Sequence, residues 1–322
     1  MQTKLDNYFK ITLNHSENLK KCFIYDPDNY KAFFDNKPDI YDVFLSIKSG
    51  IKLYYRQPKI KKHILIPKIE TIANVPLLKS NLQKAVRRCL IDEAIGSTIA
   101  LIQKDQLELL RRLPIIYIED VCLMDSYPIV IWLMMAEKEH KLDLNDIDII
   151  LNIVKGLCET NTYYDDNDSH SNDKETFELS HNNLQKHDYK DCLLSLYYRA
   201  QYGGMKGDML MLKNSIYYYS EKPFEIKNTV YNNIDYTKIN SNLNIIPQAI
   251  DFHPFPQMIS ILVKQTNLDN NDIKMTIWFV ESGVNIRKQF TLDNSKEYLN
   301  SDCWKIIKLK IPRVRYNLLQ SI

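Results

Sequence analysis

Seven glycines in 322 residues constrain this chain more than any other feature. They are Gly50, Gly96, Gly156, Gly203, Gly204, Gly207 and Gly283, and none falls in G-x-x-x-x-G-K-[ST] or G-x-G-x-x-G. A phosphate cradle needs glycine so that backbone N–H groups can approach the anion. The sequence therefore predicts neither a P-loop ATPase nor a standard dinucleotide-binding fold, and no cofactor is expected. Three of the seven cluster within Tyr202–Asp208, which predicts a special turn there.

With few breakers, the middle of the chain reads as helix. Ser80-Asn81-Leu82-Gln83 fits a capping box. Leu82, Val86, Cys89 and Leu90 then share one face, leaving Lys84, Arg87 and Arg88 on the other. Leu107, Leu110 and Leu113 continue the pattern until Pro114, where a break is predicted. Asp125-Ser126-Tyr127-Pro128 opens another helix, and Asp143 or Asn145 caps the next, which runs to about Cys158. Helical character returns at Tyr189–Gln201 and from Gly204 to Tyr219.

The expected class is mainly α: a central helical bundle over 76–222 with smaller α+β flanks at 1–75 and 223–322. Ile51, Leu53 and Tyr55 alternate with Lys52, Tyr54 and Arg56 as in a strand. A mobile acidic loop is expected over 160–186, where Asp165–Asp173 offers little to bury. In the C-terminal flank a helix over Asp272–Glu281 closed by Gly283 and a strand near Ile306–Ile311 are predicted.

Six scattered cysteines without C-x-x-C spacing argue against a zinc site or a disulfide framework, so buried thiols in a reducing compartment are expected and no metal. The N-terminus lacks a signal-peptide core, and the apolar run Pro128–Ala136 is far short of the ~20 residues of a membrane span. The expectation is a soluble intracellular protein of cytoplasm or nucleus with no membrane partner. Abundant Asn, Lys and Tyr beside 9 Arg match A/T-rich codons, as in giant viruses and some protists, and a viral chain would belong to the virus factory or virion.

The net charge of +2 hides a segregation. From Lys48 to Arg88 eleven cations face the single acid Glu70, and from Glu119 to Glu175 fourteen acids face four lysines. The basic stretch sets Tyr54, Tyr55 and Arg56 beside Lys59, Lys61, Lys62 and His63, a mixture suited to stacking and phosphate contact. Solvation, or pairing with the acidic region, explains the same charges. Two arginine pairs, Arg87-Arg88 and Arg111-Arg112, either bind phosphate with Lys84 or pair with Glu93, Glu108, Glu119 and Asp120. Lys206 in the glycine-rich turn could hold a phosphate, or the turn could simply start a helix capped by Asp208. Asp251 and His253, two residues apart, suggest a rival: a metal-dependent enzyme.

Leu82-Gln83-Lys84-Ala85-Val86-Arg87-Arg88, then Arg111-Arg112-Leu113, then Ile116–Leu123 (Ile-Tyr-Ile-Glu-Asp-Val-Cys-Leu) resemble the C-terminal helical region of the RarA/MgsA family. These are replication-associated recombination AAA+ ATPases that include the Werner-helicase-interacting protein. The likeness covers about 82–158, with Tyr202–Asp208 continuing it to about 220. Cys122 stands where the family usually has glycine, and the ATPase module is absent. The resemblance implies a clamp-loader-type helical oligomerisation domain working in DNA replication, recombination or repair, without ATP-driven activity. The expected partners are DNA, replication or repair proteins and further copies of the chain. The candidate phosphate contacts are Lys61, Lys62, Lys84, Arg87, Arg88, Arg111, Arg112 and Lys206, and no catalytic residue is assigned. A scaffold that ignores nucleic acid is the second alternative.

Overall fold

The computed structural model describes residues 22–36, 43–46, 51–163, 184, 187–221, 224–251 and 255–321. The chain is mainly helical with one small sheet. Four strands, β1 (Cys22–Asp26), β2 (Lys31–Asp35), β3 (Val43–Ser46) and β4 (Lys52–Tyr55), lie in the order β2-β1-β4-β3. β1 runs antiparallel to β2 and parallel to β4, and β3 runs antiparallel to β4. Alternation places Phe23, Tyr25, Leu53 and Tyr55 against the helices, while Cys22, Ile24 and Tyr54 form a second small cluster. Tyr54 and Tyr55 are thus both interior, which corrects the expectation that they offer stacking faces.

The sheet rests on α3 (Tyr127–Ala136), whose ten residues are all buried. A helix apolar all round belongs at the centre of a core. Trp132 Nε1 donates to the Phe23 carbonyl at 3.0 Å, tying the two layers together. α4 (Leu144–Glu159) starts at the predicted Asp143, which forms a capping box with Asp146. Asp146 also accepts from the Tyr25 hydroxyl at 2.9 Å and lies 2.7 Å from His140 Nε2.

α1 (Val75–Arg87) begins six residues before the predicted start, its cap being Asn74 and not Ser80. Asn74 accepts from Leu77 N–H and Pro76 occupies the first turn, so Ser80 sits inside the helix. Leu90 N–H bonds the Ala85 carbonyl and Cys89 N–H the Val86 carbonyl, a Schellman closure with Cys89 left-handed at φ 56°. α2 (Ile91–Asp120) bends at Asp105 (φ −162°, ψ 89°), not at Pro114. Asp105 accepts from Glu108 N–H and so caps a fresh start. Pro114 lies within the helix, with its neighbours Leu113 and Ile115 buried in the core.

α5 (Lys190–Gln201) and α6 (Lys206–Glu221) flank the predicted turn, where Gly203 (φ 92°) and Gly204 (φ 152°) take conformations that side chains disfavour. The acidic stretch 164–183 lies outside the described residues.

The C-terminal part folds into α7 (Gln257–Thr266), α8 (Asn270–Ile277), α9 (Gln289–Leu299), α10 (Asp302–Ile307) and α11 (Ile311–Leu319). The predicted strand at 306–311 is replaced by α10, a turn and the start of α11. Ile307, Ile311, Val314 and Leu318 are buried at helical spacings, and Pro312 opens α11. Among the described residues, β pairing here is limited to the bridges Glu70–Asn242 and Met124–Lys227. α8 continues through a π-helical turn, Trp278–Ser282, to Gly283 as predicted, but Gly283 has φ −85°. Space requires this glycine: a Cβ there would sit 2.7 Å from the Trp278 ring. One hydrophobic core takes in residues from the sheet, the central helices and the C-terminal helices.

Candidate nucleic-acid interface

Of the eight candidate cations, Lys84 and Arg87 are buried, Lys62, Arg88, Arg111 and Arg112 are half-buried, and Lys61 and Lys206 are exposed. For Lys84, Arg87 and Arg88 this corrects the expectation of a solvent face for all three. The reason is a third layer: residues 281–287 cover this side of α1. Ile286 N–H donates to the Arg87 carbonyl, and Arg88 donates to the Lys84 and Glu281 carbonyls.

Arg87 is the centre of the group. Its Nε reaches Asp120 at 2.5 Å, Nη2 reaches Glu119 at 2.7 Å and Nη1 reaches the Ser282 carbonyl at 3.0 Å. Gln83 Nε2 bonds both carboxylates, Asp120 at 2.6 Å and Glu119 at 2.8 Å. Adjacent helical carboxylates diverge in principle. Here the fork of Arg87 and the amide of Gln83 gather them, and Arg112 closes the ring by donating to Gln83 Oε1. Burial alone would lower the Arg87 pKa, but Asp120 and Glu119 raise it; burial in turn raises the Asp120 carboxyl, while Arg87 holds Glu119 below its ordinary value. These carboxylates are structural partners of arginine, one of the two readings the sequence allowed.

Lys84 has a different fate. Its Nζ donates to Ser80 Oγ at 2.9 Å, and burial, then Arg87, push its pKa down to about 7.

The C-terminal wall is held by two more arginines. Arg315 forks onto Asp251, Nε to Oδ1 at 3.0 Å and Nη2 to Oδ2 at 2.7 Å, with Glu281 at 3.4 Å. Arg287 turns all three of its nitrogens to the ends of helices: the Val86, Leu157, Cys158 and Thr160 carbonyls and the Cys89 sulfur. Asp251, proposed with His253 for a metal, is thus engaged by arginine, and His253 lies outside the described residues. Among the described residues no group of three or more His, Cys, Asp or Glu is placed to hold a metal, and all six cysteines are free.

Apart from Arg112, the remaining candidates do not join this group. Arg111 pairs with Glu108 at 3.4 Å, and Arg112 also approaches Asp208 at 3.9 Å. Of the predicted acidic partners, Glu108, Glu119 and Asp120 are used, whereas Glu93 accepts from Asn244 at 3.1 Å. Lys206 opens α6 and is exposed. Lys61 and Lys62 lie on an extended strap, 56–68, that links β4 to the α1 approach. Lys62 pins the strap: its ammonium meets Asp148 and its N–H donates to Asn145 Oδ1 at 2.8 Å. Lys59, Lys61, His63 and Leu65, at alternate positions, face solvent.

Sequence reasoning missed a second basic run, of which Lys305, Lys308 and Arg313 are exposed. Residues 301–322 contain Lys305, Lys308, Lys310, Arg313 and Arg315 against Asp302 alone. Reading 306–311 as a strand concealed that these cations alternate with a helical core face. No family model, curated protein or solved structure matches this chain. No helix among the described residues is long and apolar enough to cross a membrane.

Proposed function

We propose that this chain is a non-catalytic, nucleic-acid-associated protein of DNA replication, recombination or repair, acting by oligomerising and by docking partner proteins. The observation that carries this reading is the strap. Lys62 anchors it inward on Asp148, and this leaves Lys59, Lys61 and His63 in a row toward solvent. A row of cations on extended backbone suits a phosphate backbone, because each contact releases counterions. The resemblance of residues 82–158 to the recombination ATPases supplies the replication context. Ile60 and Leu65 on the same strap, 80% and 88% exposed, support docking of a protein partner beside the nucleic acid.

Fluorescence anisotropy with single- and double-stranded DNA across a salt series, beside light scattering for mass, tests the reading. Binding should fall steeply with salt, and Lys59→Ala/Lys61→Ala should reduce the log–log slope by roughly 2. A defined oligomer that binds neither DNA would leave a protein-interaction scaffold and overturn nucleic-acid association.

A further inference from the structure

Past the strap, residues 70–73 form one wall of a cleft of about 560 Å³. Its other walls include Asn242, Leu243 and Ile245 and the end of α11, Leu319 and Gln320. Glu70 is the single charged group among these lining residues, and Lys68 neutralises it at 2.8 Å. The volume falls in the ~300–1,000 Å³ range of small-molecule sites, and the lining mixes aliphatic groups with two side-chain amides.

α11 leads into this cleft from a basic end. Arg313, Tyr316 and Gln320 recur at i, i+3 and i+7, so they share one face, with Tyr316 one turn and Arg313 two turns from the cleft. Tyr316 is 63% exposed, and Arg313 is exposed with no ion pair among the described residues. The turn before α11 adds Lys308 and Lys310, while Arg315 is turned inward to Asp251.

We propose that this cleft and the exposed face of α11 bind single-stranded nucleic acid. A base enters the cleft, where Asn242 and Gln320 meet its polar edge, the neighbouring base stacks on Tyr316, and Arg313, Lys310 and Lys308 take the phosphates. The proposal rests on the nucleic-acid reading above and adds the strand type and the place. Single strands fit because a duplex hides its base faces, whereas an aromatic platform beside a base-sized cleft needs them free. An anionic bilayer would attract the same cations, but a flat headgroup layer does not call for a stacking platform beside a base-sized cleft.

The test measures anisotropy of a labelled oligothymidylate and of a duplex of equal length. It uses the full chain, Tyr316→Ala, Arg313→Ala and the strap variant Lys59→Ala/Lys61→Ala. Tyr316→Ala should weaken single-strand binding by about 5- to 150-fold, the equivalent of ~1–3 kcal/mol per stacked base, and leave duplex binding within about twofold. Tyr316 and Arg313 are exposed, and circular dichroism checks that both variants fold. If both bind the single strand like the parent while the strap variant is weakened, the cleft is excluded and the nucleic-acid reading stands. If the parent binds neither DNA, both fall. Sedimentation with phosphatidylserine vesicles, lost in Arg313→Ala without DNA binding, would assign the face to lipid and overturn the proposal.

Discussion

Arg315 and Asp251 face each other through a two-pronged ion pair, 3.0 and 2.7 Å, with both side chains withdrawn from water. Sixty-four residues of chain separate them, so the pair fastens α11 to the turn before α7. Removing one member leaves a buried charge unpaired, which costs about 3–5 kcal/mol, whereas replacing both by apolar groups is close to neutral. Urea unfolding should therefore show Arg315→Met as strongly destabilised and Arg315→Met/Asp251→Leu as largely restored. Equal loss in the single and double variants would mean that the pair is not what holds this wall.

Lys84 gives the protein a pH signature. Its folded pKa is lowered to about 7, well below the usual lysine value, by burial and then by Arg87. Between pH 7 and that ordinary value the unfolded chain binds the extra proton, so stability rises with pH by up to about 1.4 kcal/mol per unit. The buried thiols Cys122 and Cys158, pushed up to about 12, act in the opposite sense above their unfolded range near 8.5. The lysine effect should therefore be seen by urea titrations between pH 7 and 8, and Lys84→Met should abolish the rise.

Gly283→Ala should destabilise by about 1–3 kcal/mol or more, because the new methyl meets the Trp278 ring and the Trp278 carbonyl, at 2.7 and 2.8 Å. The backbone there is at φ −85°, which alanine adopts freely, so the penalty is one of space. Thermal unfolding beside near-ultraviolet dichroism of the tryptophan reads it directly; an unchanged melting temperature would contradict the packing.

Arg287→Lys is not conservative here. The guanidinium satisfies four carbonyls and a thiol, and an ammonium has three donors, so at least two acceptors at the ends of α1 and α4 lose their partner. The Val86 carbonyl keeps the Cys89 N–H, so one or two acceptors are left unsatisfied, and at about 1–3 kcal/mol for each a loss of roughly 1–6 kcal/mol is expected in chemical denaturation. Hydrogen exchange should quicken first at Val86–Leu90 and Leu157–Thr160.

The helical bundle was readable because its signals are local. Asp143 caps α4 through its own neighbours, and α3 announces burial by being apolar on every side. Pro114 misled because proline's rule is also local, whereas Leu110, Leu113, Ile115 and Ile116 on either side of it are held in the common core. The arginine pairs show the boundary most clearly. Periodicity put Lys84, Arg87 and Arg88 opposite Leu82 and Val86, which is correct for an isolated helix. It gave no sign that residues 281–287 would cover that opposite face. The acids of Glu119 and Asp120 are visible as partners; the convergence of both on one guanidinium depends on Gln83, whose spacing from Ser80 suggests a cap instead.

The covering of α1 by residues 281–287 also sets an order of events during synthesis. The Asp120 carbonyl waits for the Asn285 amide, 165 residues downstream, and Arg87 waits for the Ser282 carbonyl. At about 5–20 residues per second, a nascent chain spends roughly ten to thirty seconds with α1 and α2 made but their shared polar seam still open to water or to a chaperone. The central helices of this protein are thus finished by the ribosome long before they are finished by the fold.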